Sequence, residues 1–150
     1  MQLTFEVENI QSEDAINLIL DLSKELEQIT GNDGRSSFDY TDMDHERSVF
    51  VIVRDCGVPV GCGAIREVSE NTAELKRMYT KLKSNGVGTL LLQYLEDKAI
   101  GFCYDRLILS TRSCNIKAVQ FYQKNGYYKI KPYGRYQSKP ESICFEKILK

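Results

Sequence analysis

KLKSNGVGTLLLQYLE, residues 81–96, sets a polar, glycine-bearing turn directly before an amphipathic stretch. Val87, Leu90, Leu91, Tyr94 and Leu95 recur at helical spacing, so the sequence predicts a helix from Val87 to about Ile100 with these residues as its core face. The first N–H groups of such a helix lack intrahelical acceptors and lie at the positive end of its dipole, an arrangement that suits a phosphate. Gly86 and Gly88 have no Cβ, so an anion can approach the amides from Asn85 to Thr89, while Lys83 and Ser84 offer a charge and a hydroxyl. Two glycines that merely turn the chain between a strand and a helix would look the same, and the stretch taken alone leaves both readings open. Two better-known phosphate loops do not fit. Thr89 and Leu90 follow the last glycine where a P-loop has its Lys and Ser or Thr, and Leu91 stands where a dinucleotide loop needs a third small residue.

Upstream of the turn, TAELKRMYTK reads as a strand, preceded by SVFVIVRD and VPVGCGAIREV, two strands joined by a tight hairpin at Cys56 and Gly57. These three are expected to form an antiparallel meander. Near the N-terminus, LTFEV reads as a strand. A helix from Ser12 to about Thr30 follows, with Ile16, Ile19, Leu22, Leu26 and Ile29 at helical spacing, Ser12 as N-cap and Gly31 as stop. The polar run NDGRSSFDYTDMDHE between them is a loop or short helix. Downstream, RLILST is a buried strand, NIKAVQFYQKN a helix ended by Gly126, and YYKIKPYG and SICFEKILK are strands around a proline-marked loop. Strand and helix alternate in this half, which predicts a partly parallel sheet with helices on it.

The whole chain is consistent with one domain spanning 1–150, since 150 residues bury a core without disulfides or structural metals. No run approaches the roughly eighteen apolar residues that a membrane span needs, and the acidic N-terminal stretch is unlike a secretory signal, so a cytoplasmic location is expected. The net charge of -1, from 20 basic and 21 acidic side chains scattered along the chain, gives no field for gathering nucleic acid. Five cysteines without a CxxC pair argue against a zinc site or disulfide framework, and they are expected to be reduced and mostly buried.

Three segments in order, AELKRMYTK, KSNGVG and STRSCNIKAVQFYQKNGY, resemble the GNAT N-acyltransferases. Members hold the pyrophosphate of acetyl-coenzyme A on a loop of Gln or Arg, two variable residues, Gly, a variable residue, then Gly or Ala. Lys83, Ser84, Asn85, Gly86, Val87 and Gly88 match it except that Lys83 replaces the planar side chain. The resemblance implies the GNAT α/β (α+β) fold: a mixed central sheet with antiparallel N-terminal strands, a parallel pair at the cofactor cleft and helices on both faces. It also implies a bulged strand at Met78, Tyr79 and Thr80 whose backbone pairs with the pantetheine arm, with a backbone N–H, that of Tyr79 first, as oxyanion donor. Asn115 resembles the asparagine that contacts the coenzyme arm, and its position also makes it a helix N-cap. Tyr122 resembles the tyrosine near the thioester sulfur, and a packed core aromatic would look alike.

What the resemblance implies chemically is transfer of acetyl from acetyl-coenzyme A, as cosubstrate and without a metal, to a primary amine of a small molecule or peptide by direct attack in a ternary complex. A lysine-like ammonium is about one part in 2,500 neutral at pH 7, a cost of roughly 4.6 kcal/mol, so a proton acceptor is worth finding. Glu74 matches the base glutamate of histone-acetylating members and is expected to share a face with Met78, four residues on. An edge carboxylate or an ion pair with Lys76 is the plainer alternative. The leaving thiolate, with a pKa near 8.5 by analogy with cysteine, needs little help, so Tyr122 is expected to matter less than positioning. The acceptor is expected around Arg35, Phe38 and Tyr40 and the loop from Tyr133 to Pro140. Members often pair through sheets or C-terminal strands, which leaves a homodimer open. A coenzyme-binding module without catalysis, acting as sensor or partner subunit, is the alternative function. A nucleotide-binding protein is a third, lacking a base-recognition or magnesium-ligand motif.

Overall fold

Central strands rich in Val, Ile and Cys are apolar on both faces because they are to be covered on both. A computed structural model describes residues 1–34, 39–83 and 85–149. Seven strands run along the chain: β1 (Leu3–Val7), β2 (Val49–Asp55), β3 (Val58–Glu67), β4 (Thr72–Thr80), β5 (Arg106–Arg112), β6 (Tyr128–Ile130) and β7 (Ser142–Ile148). They form one sheet in the order β1-β2-β3-β4-β5-β7-β6. Every neighbour pair is antiparallel except β4 and β5, which run parallel. The mixed sheet with its single parallel pair is the architecture that the sequence leads one to expect.

Helices α1 (Glu13–Thr30), α2 (Val87–Gly101) and α3 (Ile116–Lys124) cover it. One face, with α1 on it, holds Phe50, Ile52, Cys62 and Ala64 against Ala15, Leu18 and Ile19. The other holds Val51, Val53, Ile65, Leu107 and Phe145 against Leu91, Leu92 and Leu95 of α2 and Tyr122 of α3.

Local signals predict the element ends well. Ser12 Oγ accepts from the Ala15 N–H at 3.2 Å, and Gly31 closes α1 at φ 78°. Cys56 (φ 51°) and Gly57 (φ 85°) make the β2–β3 hairpin with both central residues left-handed, the twist that matches the strands. Faces are less well predicted. Ile16 and Ile29 of α1 are exposed and the buried stripe is Ala15, Leu18, Ile19 and Leu22; in α2, Leu90 is exposed and Leu92 takes its place in the core. Both helices carry more than one apolar stripe, and the sheet selects which one is buried. Cys56, Cys103 and Cys114 are exposed and only Cys62 and Cys144 are buried, so the thiols are not mostly buried: three of them fall in turns at element ends.

The decisive irregularity lies in β4. Its register against β3 runs Arg66↔Glu74 and Ala64↔Lys76 and then shifts, so that Cys62 faces Tyr79. Gly63 alone stands opposite Arg77 and Met78, and Arg77 takes up the extra residue at φ 57°. The bulge reverses the strand's alternation. Glu74, Lys76 and Tyr79 face α1, while Met78 packs into the α2 core. Glu74 and Met78 therefore do not share a face, contrary to a strict period of two.

Two glycines of β3 make room for this. A Cβ on Gly63 would stand 2.7 Å from Met78 Sδ, and one on Gly61 would stand 2.7 Å from the Tyr79 carbonyl oxygen and 2.9 Å from Val53 Cγ1. The backbone oxygen cannot rotate away. Gly61→Ala should therefore lower stability by about 1–3 kcal/mol in urea unfolding, and an unchanged midpoint would show that β4 yields freely there.

Candidate active site

The two parallel strands part just ahead of the bulge. β5 pairs with β4 only at Thr72, Ala73 and Glu74, which leaves the edge of β4 from Lys76 to Thr80 without a strand beside it. Lys81 N–H donates to the Val60 carbonyl at 2.7 Å, so the antiparallel alternation turns the Tyr79 N–H toward Cys62 and the Thr80 N–H toward the open edge. Met78, at the bulge, has no partner in the β3 register. The Tyr79 N–H, expected as the oxyanion donor, is thus turned to the β3 ladder, and of the three expected backbone positions Thr80 directs its N–H to the open edge.

The mouth of α2 opens beside this edge. Gly86 caps it at φ 82° with no side-chain bond, and the first amide to find a helical acceptor is that of Leu90, on the Gly86 carbonyl at 3.1 Å. The amides of Val87, Gly88 and Thr89 precede it. Gly88 lies close to α3, where a Cβ would come 3.2 Å from the Phe121 ring. Lys83 turns away from the mouth, pairing with Glu25 of α1 at 3.0 Å and lying 5.0 Å from the Tyr79 ring centre. That pair is largely exposed and weak, so the ammonium is free to be redirected. Asn85 Nδ2 contacts Met1 Sδ at 3.9 Å. Arg35, Phe38 and Ser84 lie outside the described residues.

On α3, Asn115 is the N-cap, its Oδ1 accepting from the Ala118 N–H at 3.3 Å. Tyr122 is buried among Phe121, Tyr127 and Phe145, and this burial pushes its phenol well above the usual range, so it stays protonated. Tyr40, on a 3-10 turn (Tyr40–Met43), is exposed and lines neither of the two cavities described next.

Glu74 is neither an edge carboxylate nor a lone pair with Lys76. It is 1% exposed, its Oε1 accepts from Arg66 Nε at 2.7 Å, its Oε2 accepts from the Tyr133 hydroxyl at 2.5 Å, and Lys76 Nζ stands 3.9 Å away. Burial, then the Glu74 charge, push the Tyr133 phenol far up, while burial holds the Lys76 ammonium below its ordinary pKa. This cluster floors a cavity of about 380 Å³ under a second 3-10 turn (Gly134–Ser138), whose Tyr136 accepts from Lys76 at 3.2 Å. A smaller cavity of about 140 Å³, touching Asn115, Ser110 and the end of α1, shares Arg135 and Tyr136 with it. Sequence reasoning named the Tyr133–Pro140 loop but missed Arg66, Arg77 and Arg106. A charged residue at the end of an otherwise apolar β3 was the available sign for Arg66. Arg77 Nη2 reaches the Gly34 carbonyl at 3.1 Å, tying the segment after α1 to the bulge, which no local pattern announces.

Comparison with known proteins agrees with this geometry. The Acetyltransferase (GNAT) family model matches residues 14–127. An IAA acetyltransferase of Azospirillum brasilense is 34% identical over 103 residues, 67% of each chain. The uncharacterized N-acetyltransferase YsnE of Bacillus subtilis is 31% identical over 59% of this chain and 62% of its own. A crystal structure provisionally named an acyl-CoA N-acyltransferase, from Klebsiella pneumoniae, superposes with a TM-score of 0.83 at 28% identity over 99% of both chains. PaiA N-acetyltransferase of Thermoplasma acidophilum, solved with coenzyme A, shares the fold at a TM-score of 0.75 and 17% identity over 99% of both.

Removing one partner of a buried, compensated charge leaves the others unpaired. Glu74→Gln should cost about 3 kcal/mol in denaturant unfolding, the low end for a buried pair because Arg66 is part-exposed. A loss under about 1 kcal/mol would mean the cluster is solvated and Glu74 open to exchange.

Proposed function

The chain belongs to the acetyltransferase (GNAT) family, and from this we infer that it is an enzyme moving acetyl from acetyl-coenzyme A to an amine, both held at once in one domain. The observation that carries the reading is the uncapped mouth of α2 lying beside the freed edge of β4. The bound cosubstrate supplies a thioester carbonyl and a thiolate able to leave near neutral pH. Val87, Gly88 and Thr89 amides grip the pyrophosphate, with Gly86 and Asn85 lining the approach. Thr80 and Met78 offer backbone groups to the pantetheine arm and the carbonyl oxygen, aligned before the reaction begins. Asn115 shapes the arm's path as the cap of α3, and Tyr122 closes the sulfur end as a protonated, packed phenol.

The amine must shed its proton. Glu74 is too enclosed to meet it directly, yet Tyr133, whose hydroxyl hydrogen goes to Glu74, lines the cavity. The amine proton passes to the Tyr133 oxygen as the phenol proton passes to the carboxylate, so Glu74 is the base through Tyr133. The reaction is placed in the cytoplasm, where five free thiols stay reduced.

Incubation with acetyl-coenzyme A and a panel of small amines and peptides, following free thiol, tests the activity. Binding of coenzyme without thiol release on a broad panel would favour a non-catalytic binding subunit. Gly88→Val should abolish coenzyme binding measured by calorimetry in a protein that still folds by circular dichroism; unchanged affinity would make the mouth a mere turn. Tyr133→Phe should lower kcat by about 100-fold with the acetyl-coenzyme A KM unchanged, and an unaltered kcat would remove the relay.

A further inference from the structure

The walls of the larger cavity are unequal in charge. Arg66, Lys76, Arg106 and Arg135 line it, against Glu74 and Glu146, a surplus of 4 − 2 = 2 positive charges. Asp42, 3.7 Å from Arg66 Nη1 and outside the wall, reduces this to one without changing its sign. The two carboxylates are already engaged by the protein: Glu74 by Arg66 and Tyr133, and Glu146 by Arg106 at 3.5 Å. The pairs Glu74–Arg66 and Glu146–Arg106 offset each other, so the surplus resides in Lys76 and Arg135, and an incoming ammonium would meet a net positive wall where an incoming anion would meet a net attraction. Burial holds the Lys76 ammonium below its ordinary pKa against the pull of Glu74, and an anionic occupant would offset that loss of solvent.

Size and position narrow the occupant further. About 380 Å³ is near the lower end for ligand sites, enough for one small molecule. Ile108, Ile130 and the Tyr136 ring give it an apolar side. Lys76 stands immediately before the Arg77 bulge and Met78 immediately after it, so an anion held at Lys76 leaves an amine a few bonds away near the transfer point.

We propose that the acceptor is a small amine that also carries a carboxylate, an amino acid or close derivative, whose carboxylate is bound in the cavity by Lys76, Arg106 and Arg135. This rests on the acetyl-transfer reading of the cleft. The lining cations would take a phosphate by the same chemistry, and the experiment separates the two.

Thiol release from acetyl-coenzyme A is measured with the twenty amino acids, with tyramine, phenethylamine and isoamylamine as decarboxylated partners of tyrosine, phenylalanine and leucine, and with phosphoethanolamine beside ethanolamine. At least one amino acid should exceed its decarboxylated partner about ten-fold or more in kcat/KM, the worth of a charged hydrogen bond. Arg106→Gln and Arg135→Gln, at exposed positions that tolerate change, should each raise the amino acid KM about ten-fold while leaving the acetyl-coenzyme A KM alone. Decarboxylated amines used as well as or better than their amino acids would overturn the proposal while sparing the family activity, as would preference for phosphoethanolamine alone. Failure to bind acetyl-coenzyme A would instead sink the activity itself. If no acceptor turns over, thermal shifts of the coenzyme-bound protein decide: stabilisation by amino acids and not by the matched amines supports the carboxylate site, and no shift from any amino acid overturns it.

Discussion

One extra residue in β4 governs the site. An antiparallel strand that keeps a strict alternation sends every second side chain to the same face and commits every backbone amide to one neighbour or the other. Arg77, left-handed at φ 57°, breaks that rule once. The charged residues before it, Glu74 and Lys76, lie on the Ala64 face of the sheet and line the cavity under the second 3-10 turn, while Met78 after it drops into the α2 core. β5 has stopped pairing just before this shift, so the open-edge amides that follow have no strand beside them. Gly61 and Gly63 are the complementary half of the device, since their missing Cβ atoms are the space into which the bulged strand settles.

The buried cluster around Glu74 has a different logic. Its burial is favourable only because Arg66, Tyr133 and Lys76 all answer the carboxylate, and an apolar residue of similar volume would fold at least as well. The cluster pins the loop bearing Tyr133 onto β4 across 59 residues of sequence, and it points a phenol with a committed proton into the cavity. In the proposed mechanism, positioning and proton handling come from this one set of contacts.

At the mouth of α2 the protein works mainly with backbone. In the proposed reading the grip is made of amides at a helix N-terminus and asks little of the side chain at position 83, and Lys83 leans on Glu25. What the loop does require is thinness. Gly88 sits against Phe121, so α2 and α3 approach closely on either side of the gap between β4 and β5. A larger residue there would press on the Phe121 ring and narrow the gap that the proposed diphosphate would occupy.

The sequence by itself determined whatever depends on residues a few positions apart. The caps at Ser12 and Gly31, the hairpin at Cys56 and Gly57 and the α2 mouth at Gly86 were legible because backbone dihedrals and first-turn hydrogen bonds are set locally, while the mixed sheet followed from strand–helix alternation and the family resemblance. The tertiary structure decided which stripe of α1 and α2 was buried, which amide of β4 was released, and that Glu74 was enclosed. Each of these depends on strand register or on a loop dozens of residues away. A single-residue shift inverts a face, and a buried carboxylate takes its character from partners that its own neighbourhood in sequence does not reveal.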